Sequence, residues 1–188
     1  MSQAVRIGLC LLVAALATTG LWATTAVERT ETDLIQDAEL IVVGRVAHQE
    51  SRWIDRDLVT LVTVSVSEAL KGHPGSEVTV VVPGGVDTNR PVPVAMTYPA
   101  APELLGQENV LLFLTSEGRL AGGYSIVGFS QGKYSVVETA TGEKVATQNL
   151  GELNLQGRNG QVTRGSAKAI PLKALRLKVK ETLGVEKQ

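Results

Sequence analysis

Short runs of β-branched residues, separated by glycine and proline, dominate the middle of the chain and constrain it to a mainly β fold. Leu40–Ala47 is almost continuously apolar, which predicts a buried strand with a bulge or bend at Gly44. Leu58–Leu70 alternates and places three valines on one face, and its length predicts strong coiling or a bulge. The same pattern predicts further strands over residues 77–82, 109–114, 120–127, 132–138 and 144–147.

The centres of these strands predict the core. Val42, Val64, Val80 and Leu112 lie in mid-strand among aliphatic neighbours. We therefore expect these four side chains to face the interior of a small barrel.

Two helices are predicted, one before and one after the strands. Thr30 with Asp33 three residues later forms a variant of the capping box, which predicts a short helix over Glu31–Ala38. Pro171 occupies the expected first position of a second helix that ends at Gly184. Its apolar residues recur at spacings of three and four, which predicts one buried stripe made of Leu172, Leu175, Val179 and Leu183.

The first residues have the pattern of a secretory signal peptide. Arg6 precedes an uncharged apolar run over Ile7–Ala23, and small residues close the run. Cleavage after Ala26 places Thr24 third before the cut, whereas cleavage after Ala23 places the bulky Leu21 there. The predicted leader is therefore residues 1–26, with the cut between Ala23 and Ala26. The alternative is a retained membrane anchor, since an apolar run of about 17 residues can barely span a bilayer.

Composition narrows the classes of function. The only cysteine, Cys10, lies inside the apolar run, so the exported chain is expected to rely on apolar burial and not on disulfides. The formal net charge is −1 and both signs of charge are mixed along the chain. Nucleic-acid binding, which needs a basic groove with several stacking aromatics, is therefore not expected.

The chain offers no recognisable catalytic set. Its histidines, His48 and His73, lie far apart in sequence and are expected to be ordinary surface residues. A zinc site needs clustered histidine, cysteine or carboxylate ligands, which this pattern does not supply. Asp55 and Asp57 flank Arg56 and are interpreted as solvated hairpin residues. We therefore expect no catalytic residue, no metal and no cofactor.

The least regular region is the best candidate for binding. Pro91, Pro93, Pro99 and Pro102 lie within the segment 86–105, which excludes a central strand and predicts a long surface loop. Together with this loop, Arg52, Trp53 and Tyr98 could form an exposed partner-binding platform. The alternative for Trp53 is a half-buried aromatic that closes the barrel, since tryptophan is usually largely buried.

Several stretches taken in order resemble a known group of proteins. They are Ala38–Val46, Ser51–Trp53, Leu70–Gly72, Gly106–Leu114 and Tyr124–Tyr134. In this order they resemble a family of uncharacterised secreted bacterial proteins, itself similar to the netrin-like modules of tissue inhibitors of metalloproteinases.

The resemblance covers about residues 34–137 and implies an OB-type, five-stranded Greek-key barrel with a helix packed on it. The inhibitors chelate zinc through an N-terminal cysteine. In this chain the expected mature terminus is Val27 and the exported part has no cysteine, so the resemblance implies the fold without that mechanism.

These observations predict the organisation and role of the chain. We expect a leader over residues 1–26, an OB-like barrel domain over 27–148, and a mobile polar segment followed by a helix over 149–188. The predicted function is a secreted or periplasmic, non-catalytic module that binds an extracytoplasmic protein or other macromolecule, with an extracytoplasmic protease as one candidate partner. The alternative is a secreted enzyme, or an enzyme subunit, with an unrecognised site. Membrane contact is expected only if the N-terminal segment is retained.

The leader prediction can be checked directly. We expect the exported protein to begin near Val27, because small residues follow the apolar run. Mass spectrometry of the protein recovered from the extracytoplasmic fraction measures this terminus. A mass that still includes residues 1–26 would support the membrane anchor instead.

Overall fold

The computed structural model describes residues 24–184, so all but the last three residues of the predicted leader lie outside the described residues. Over this range the chain forms thirteen strands, two α-helices and one 3₁₀ helix. The strands are β1 (Thr24–Val27), β2 (Leu40–Ile54), β3 (Asp57–Lys71), β4 (Glu77–Pro83), β5 (Gly85–Asp87), β6 (Val94–Met96), β7 (Asn109–Ser116), β8 (Gly123–Ile126), β9 (Lys133–Glu138), β10 (Lys144–Asn149), β11 (Leu153–Gln156), β12 (Val162–Arg164) and β13 (Ala167–Pro171). The helices are α1 (Glu31–Asp37), the 3₁₀ helix (Phe129–Gly132) and α2 (Leu172–Thr182).

Five of the strands form a barrel. β2, β3 and β4 pair in sequence as an antiparallel meander. β8 lies parallel to β4 and antiparallel to β7, and β7 pairs with β2. The contact of β8 with β4 has only two aligned residue pairs and its contact with β7 has three, so the barrel is partly open. The predicted mainly β, OB-like barrel with two flanking helices is confirmed.

The long β2–β3 hairpin bends because its register is interrupted. Shifts occur at Ile41/Val42, at Val43/Gly44 and at Val46/His48. A Cβ on Gly44 would lie 2.5 Å from the backbone oxygen of Ser65, so only glycine allows the two backbones to approach this closely. The bulge predicted at Gly44 is thereby confirmed.

The barrel interior is filled by aliphatic side chains. Val42, Val64, Val80 and Leu112, the four residues predicted to face the core, are each 0% exposed. They belong to one cluster, to which β2, β3, β4, β7 and β8 all contribute. Leu104, from the long loop, closes one end of this cluster and is itself buried.

A second apolar cluster lies outside the barrel. β9, β10 and β13 extend the sheet beyond β7, and the two helices cover this extension. The cluster contains Ile41 of β2, Phe113 of β7 and Tyr134 of β9, whose ring meets that of Phe113 edge to face at 6.0 Å. Leu175 and Val179 of α2 pack into it from the helical side.

Both predicted helices are present, with one correction. Thr30 caps α1 through a complete capping box: its hydroxyl accepts from the Asp33 N–H, and the Asp33 carboxylate accepts from the Thr30 N–H. Leu172, Leu175 and Val179 form the buried stripe of α2. Pro171 is the cap of α2 and not its first helical residue, because it is still extended and aligned with Val145 of β10.

The segment 149–168, predicted to be mobile and polar, contributes regular structure. β11 and β12 pair with each other, and β13 begins at Ala167 and pairs with β10. Leu150, Leu153 and Leu155 are buried as a small third cluster. These leucines stand among polar residues and glycines, and their burial is what orders the segment.

β1 lies at the junction with the predicted leader. Thr24–Val27 pairs in parallel with Leu153–Gln156, and Ala26 packs against the third cluster. The side-chain amide of Gln131 donates to the Val27 carbonyl at 3.0 Å. A cut after Ala26 would remove three of the four residues of this strand, whereas a cut after Ala23 would leave it whole.

The core assignment predicts a specific loss of stability. Leu112→Ala should lower the free energy of unfolding by about 2–5 kcal/mol, because it removes a fully buried side chain and leaves a cavity in the barrel. Leu177→Ala is the matched control, since Leu177 of α2 is 44% exposed, and it should cost less than about 0.5 kcal/mol. Denaturant unfolding measures both, and equal losses would contradict the assignment.

Candidate functional site

The structure separates the residues of the predicted platform, Arg52, Trp53 and Tyr98. Trp53, near the tip of the β2–β3 hairpin, is half-buried and donates from Nε1 to Asp87 Oδ2 at 2.7 Å. The Arg90 guanidinium lies 4.9 Å from its ring centroid. Arg52 is exposed, and as the neighbouring residue in the strand it points to the opposite face. Trp53 is therefore half-buried, which was the alternative to a place in an exposed platform.

Tyr98 lies at the other end of β5. Its ring packs over Gly84, where a Cβ would come within 3.6 Å of Tyr98 Cδ2, and the side chain is 36% exposed. Asp87, which holds Trp53, ends β5, whereas Gly84 precedes it. Trp53 and Tyr98 therefore contact opposite ends of one three-residue strand, and a shared role in binding stays a prediction.

The hydrogen bonds from Trp53 and from the Asn89 N–H hold the pKa of the Asp87 carboxyl below its usual value. Arg90 adds an ion pair at 3.0 Å. Asp87 therefore stays ionised and ties the β2–β3 hairpin to the start of the proline-containing loop.

The proline-containing loop covers one end of the barrel. Leu104 inserts into the barrel core, and the side-chain amide of Gln49 donates to its carbonyl. One residue further on, the Leu105 N–H donates to Glu108 Oε2 at 2.9 Å. These anchors hold residues 100–105 against the sheet and create a cavity on each side of them.

The first cavity, which we call the apolar cleft, lies at the mouth of the barrel and has a volume of about 290 Å³. Val62 and Val82 line its base, and Met96, Tyr98 and Leu104 line its sides. Barrel mouths are common sites for ligands with apolar groups. The cleft is large enough to accept one aliphatic or aromatic side chain.

The second cavity, which we call the polar cavity, has a volume of about 530 Å³. Its floor is the outer face of the sheet extension, where Ser135, Thr147 and Ala169 lie side by side across β9, β10 and β13. Residues 100–103 form one wall, and the segment around Leu150 and Leu153 forms another.

The two cavities share a wall. Ala101, Pro102 and Glu103 line both of them. A single segment of the long loop therefore separates the apolar cleft from the polar cavity. Together the two cavities form one groove with this segment running between them.

A charged cluster lies at the edge of the polar cavity. Lys133 Nζ contacts Glu108 Oε1 at 2.7 Å and Ser135 Oγ at 2.8 Å, and the Ser135 hydroxyl donates to the same carboxylate. Burial raises the pKa of Glu108, but the hydrogen bonds from Lys133, Ser135 and the Leu105 N–H outweigh it, so that the pKa lies below its usual value.

A serine beside a lysine can be a nucleophile with its base, but the hydrogen bonds of this pair run in the opposite sense. Lys133 Nζ donates to Ser135 Oγ at 2.8 Å and to Glu108 Oε1 at 2.7 Å, so the lysine is placed as a donor to the serine and not as an acceptor of its proton. The Ser135 hydroxyl is itself directed at Glu108. The arrangement binds the loop to β9 and leaves one ammonium N–H to donate elsewhere.

The other titratable residues considered from the sequence are at the surface. His48 and His73 are exposed, as predicted. Asp57 is bound to Arg119 at 2.8 Å, and Asp55 lies in the hairpin turn with a positive φ of 55°. Over residues 24–184, no group of three or more histidine, cysteine or carboxylate side chains is placed to hold a metal ion.

Comparison of the chain with protein-family models, with curated proteins and with solved structures gives no match. The resemblance to netrin-like modules therefore stays a prediction, and the OB-like topology rests on the strand pairings alone. Neither helix of the described range combines the length and apolar character that crossing a membrane requires.

Sequence reasoning named the loop but missed the groove. Lys133 and Ser135 alternate along β9, a spacing that places both side chains on one face and that could have drawn attention to them. Glu108 lies 25 residues before Lys133 in the chain, and only the β7–β9 pairing brings them together.

The Glu108 cluster predicts a pH-dependent loss of stability. Glu108→Gln should lower the free energy of unfolding by roughly 1–3 kcal/mol at pH 7, because it removes a hydrogen-bonded charge and leaves Lys133 unpaired. Since the folded pKa of Glu108 lies below the ordinary 4.5, its contribution is present above that pH and lost as the pH falls through the folded value.

Urea unfolding of both proteins between pH 3 and pH 7 measures this difference. The stabilities of the two proteins should converge at the acidic end. Glu152→Gln, a change at an exposed carboxylate beside the same cavity, is the control and should leave the curve unchanged. A constant gap between Glu108→Gln and the unmodified protein at every pH would contradict the assignment.

Proposed function

We propose that this protein is an extracytoplasmic, non-catalytic binding module, and that its ligand is a segment of polypeptide lying across the wall formed by residues 101–103. The observation that carries this proposal is the pair of neighbouring cavities on either side of that wall. The proposed location, secreted or periplasmic, rests on the leader pattern in the sequence.

The shape of the groove favours a polypeptide over a compact small molecule. A small molecule would fill one cavity, whereas successive side chains of a polypeptide reach both. An apolar side chain fits the cleft formed by Val62, Val82 and Met96. Polar groups of the next residues then meet Ser135, Thr147 and the free N–H of Lys133 in the polar cavity.

The loop is suited to binding without large rearrangement. It is held by hydrogen bonds to Gln49 and Glu108 and contains four prolines. A preorganised surface loses little conformational entropy when it binds, which favours affinity. Exposed apolar residues, Val92 and Leu105 among them, extend the contact area along the same loop.

The alternative, an enzyme, would need the Lys133–Ser135 pair to act in catalysis. Its support is the distance of 2.8 Å and the adjacent cavity. The hydrogen bond from the Ser135 hydroxyl to Glu108 opposes it, because the serine proton points at the carboxylate and not at the lysine. Hydrolysis of ester or peptide substrates by the purified protein, abolished by Ser135→Ala, would favour the enzyme over the binding module.

Two substitutions test the groove. Peptides are first selected on the unmodified protein from a random-peptide phage library. Thr147→Phe should fill the polar cavity, and Tyr98→Ala should remove one side of the apolar cleft. We expect each to weaken binding of the selected peptides by about tenfold or more, as measured by fluorescence polarisation with synthetic peptides.

Thr141→Phe is the matched control, because Thr141 is exposed in the β9–β10 turn and lines neither cavity. It should bind peptides as the unmodified protein does, and all three variants should keep the melting temperature within a few degrees. Equal binding by all three variants would show that the groove is not the site.

A further inference from the structure

β13 is the outermost strand of the main sheet. It covers Ala167–Pro171 and, among residues 24–184, pairs with β10 alone. Five residues at about 3.4 Å each give an edge about 17 Å long. This edge borders the polar cavity, which Ala167, Lys168 and Ala169 help to line.

The hydrogen-bond phase of the sheet determines which backbone groups of β13 face outwards. The Thr139 N–H donates to the Glu143 carbonyl where the β9–β10 hairpin closes. Along antiparallel strands, hydrogen-bonded residue pairs alternate with non-hydrogen-bonded pairs. Counting from the bonded pair Thr139–Glu143, the odd-numbered residues of β10 bond to β9 and the even-numbered residues bond to β13. The bond from the Leu150 N–H to the Ser166 carbonyl continues the same phase.

It follows that the residues aligned with Gln148 and Ala146, namely Lys168 and Ile170, bond to β10. The N–H and C=O groups of Ala167 and Ala169 then point away from the sheet. Pro171, which has no N–H to donate, closes the far end of this edge.

The outer edge of β13 lacks most of the features that usually keep an exposed strand from pairing with another chain. Such strands are commonly shielded by outward charges, bulges or covering segments. In β13, Ala167 and Ala169 present only methyl groups and are exposed. The one cation, Lys168, is directed to the opposite face, where it binds Glu31 at 2.7 Å and lies 5.7 Å from the Tyr134 ring centroid.

We propose that β13 accepts an extended polypeptide as an additional strand of the sheet, with alternate side chains of that polypeptide entering the polar cavity. This inference rests on the proposed function and specifies how the ligand backbone is held. The N–H and C=O groups of Ala167 and Ala169 supply the main-chain bonds, and the cavity supplies selectivity for side chains.

The dimensions of the edge favour a peptide over a second copy of this chain. A stable protein–protein interface buries roughly 1,000 Å² or more. An edge about 17 Å long and one strand, about 4.8 Å, wide provides only a small part of that area. A flexible segment can make up the difference by following the cavity and the shared wall, which a folded copy cannot enter.

The test uses the full exported chain and the peptides selected from the random-peptide library. Ala169→Pro removes an outward N–H while leaving the bonds between β10 and β13 in place, and it should weaken peptide binding by about tenfold or more. Val162→Pro is the matched control: it places a proline in another exposed edge strand, β12, at a residue that lines neither cavity, and it should bind as the unmodified protein does.

Amide exchange of the unmodified protein, followed by NMR with and without peptide, gives an independent readout should Ala169→Pro unfold. Protection of the Ala167 and Ala169 amides on peptide addition is expected. Peptides that lose affinity for Thr147→Phe but bind Ala169→Pro normally, with no new protection, would overturn the added strand and leave the groove intact.

Selection that yields no peptide binder would overturn both proposals. Self-association is examined by sedimentation of the free protein. A dimer disrupted by Ala169→Pro would assign the edge to a second copy and would also overturn the peptide proposal.

Discussion

The structure depends on β7 and the first half of β2, where the sheet is buried on both faces. Val42 and Leu112 face the barrel interior, whereas their neighbours Ile41 and Leu111 face the cluster under the helices. Both of these segments are therefore almost continuously apolar, and a shift of one residue would exchange the side chains of the two cores. The close approach at Gly44 fixes the register, because any larger side chain would meet the backbone of β3.

The helices and the tail are attached to this framework by both apolar and charged contacts. α1 and α2 cover the second cluster, and Glu31 of α1 receives Lys168 of β13 and Lys178 of α2. Burial acts to raise the pKa of Glu31, but the hydrogen bonds and charge of these lysines lower it to about 2. One carboxylate thus joins α1 to two consecutive elements, β13 and α2, through lysines 137 and 147 residues further along the chain. The same contact directs Lys168 away from the outer edge of the sheet.

The candidate groove has a different physical basis. Its shared wall comes from a loop whose prolines exclude it from the main sheet, and hydrogen bonds to Gln49 and Glu108 set the position of that loop. The polar anchors leave the two cavities open, whereas apolar packing would have filled them. Many proteins carry their binding residues on surface loops that a rigid, apolar framework holds in position.

Local patterns in the sequence predicted much of the framework. The capping box at Thr30, the apolar stripe of α2, the bulge at Gly44 and the buried faces of β2, β3, β4 and β7 each depend on residues close together in the chain. Three isolated leucines in a polar segment were insufficient to predict β11–β13, since their burial requires contacts with distant elements.

The sequence by itself determined the class of fold and its hydrophobic faces, because periodicity and turn residues act over a few positions. Only the tertiary structure decided the groove and the free edge. Glu108, Lys133 and the segment 100–103 meet through pairing of β7 with β9, and β13 becomes an edge because no described strand follows it in the sheet. Such contacts join residues far apart in the chain, so a local sequence pattern cannot predict them.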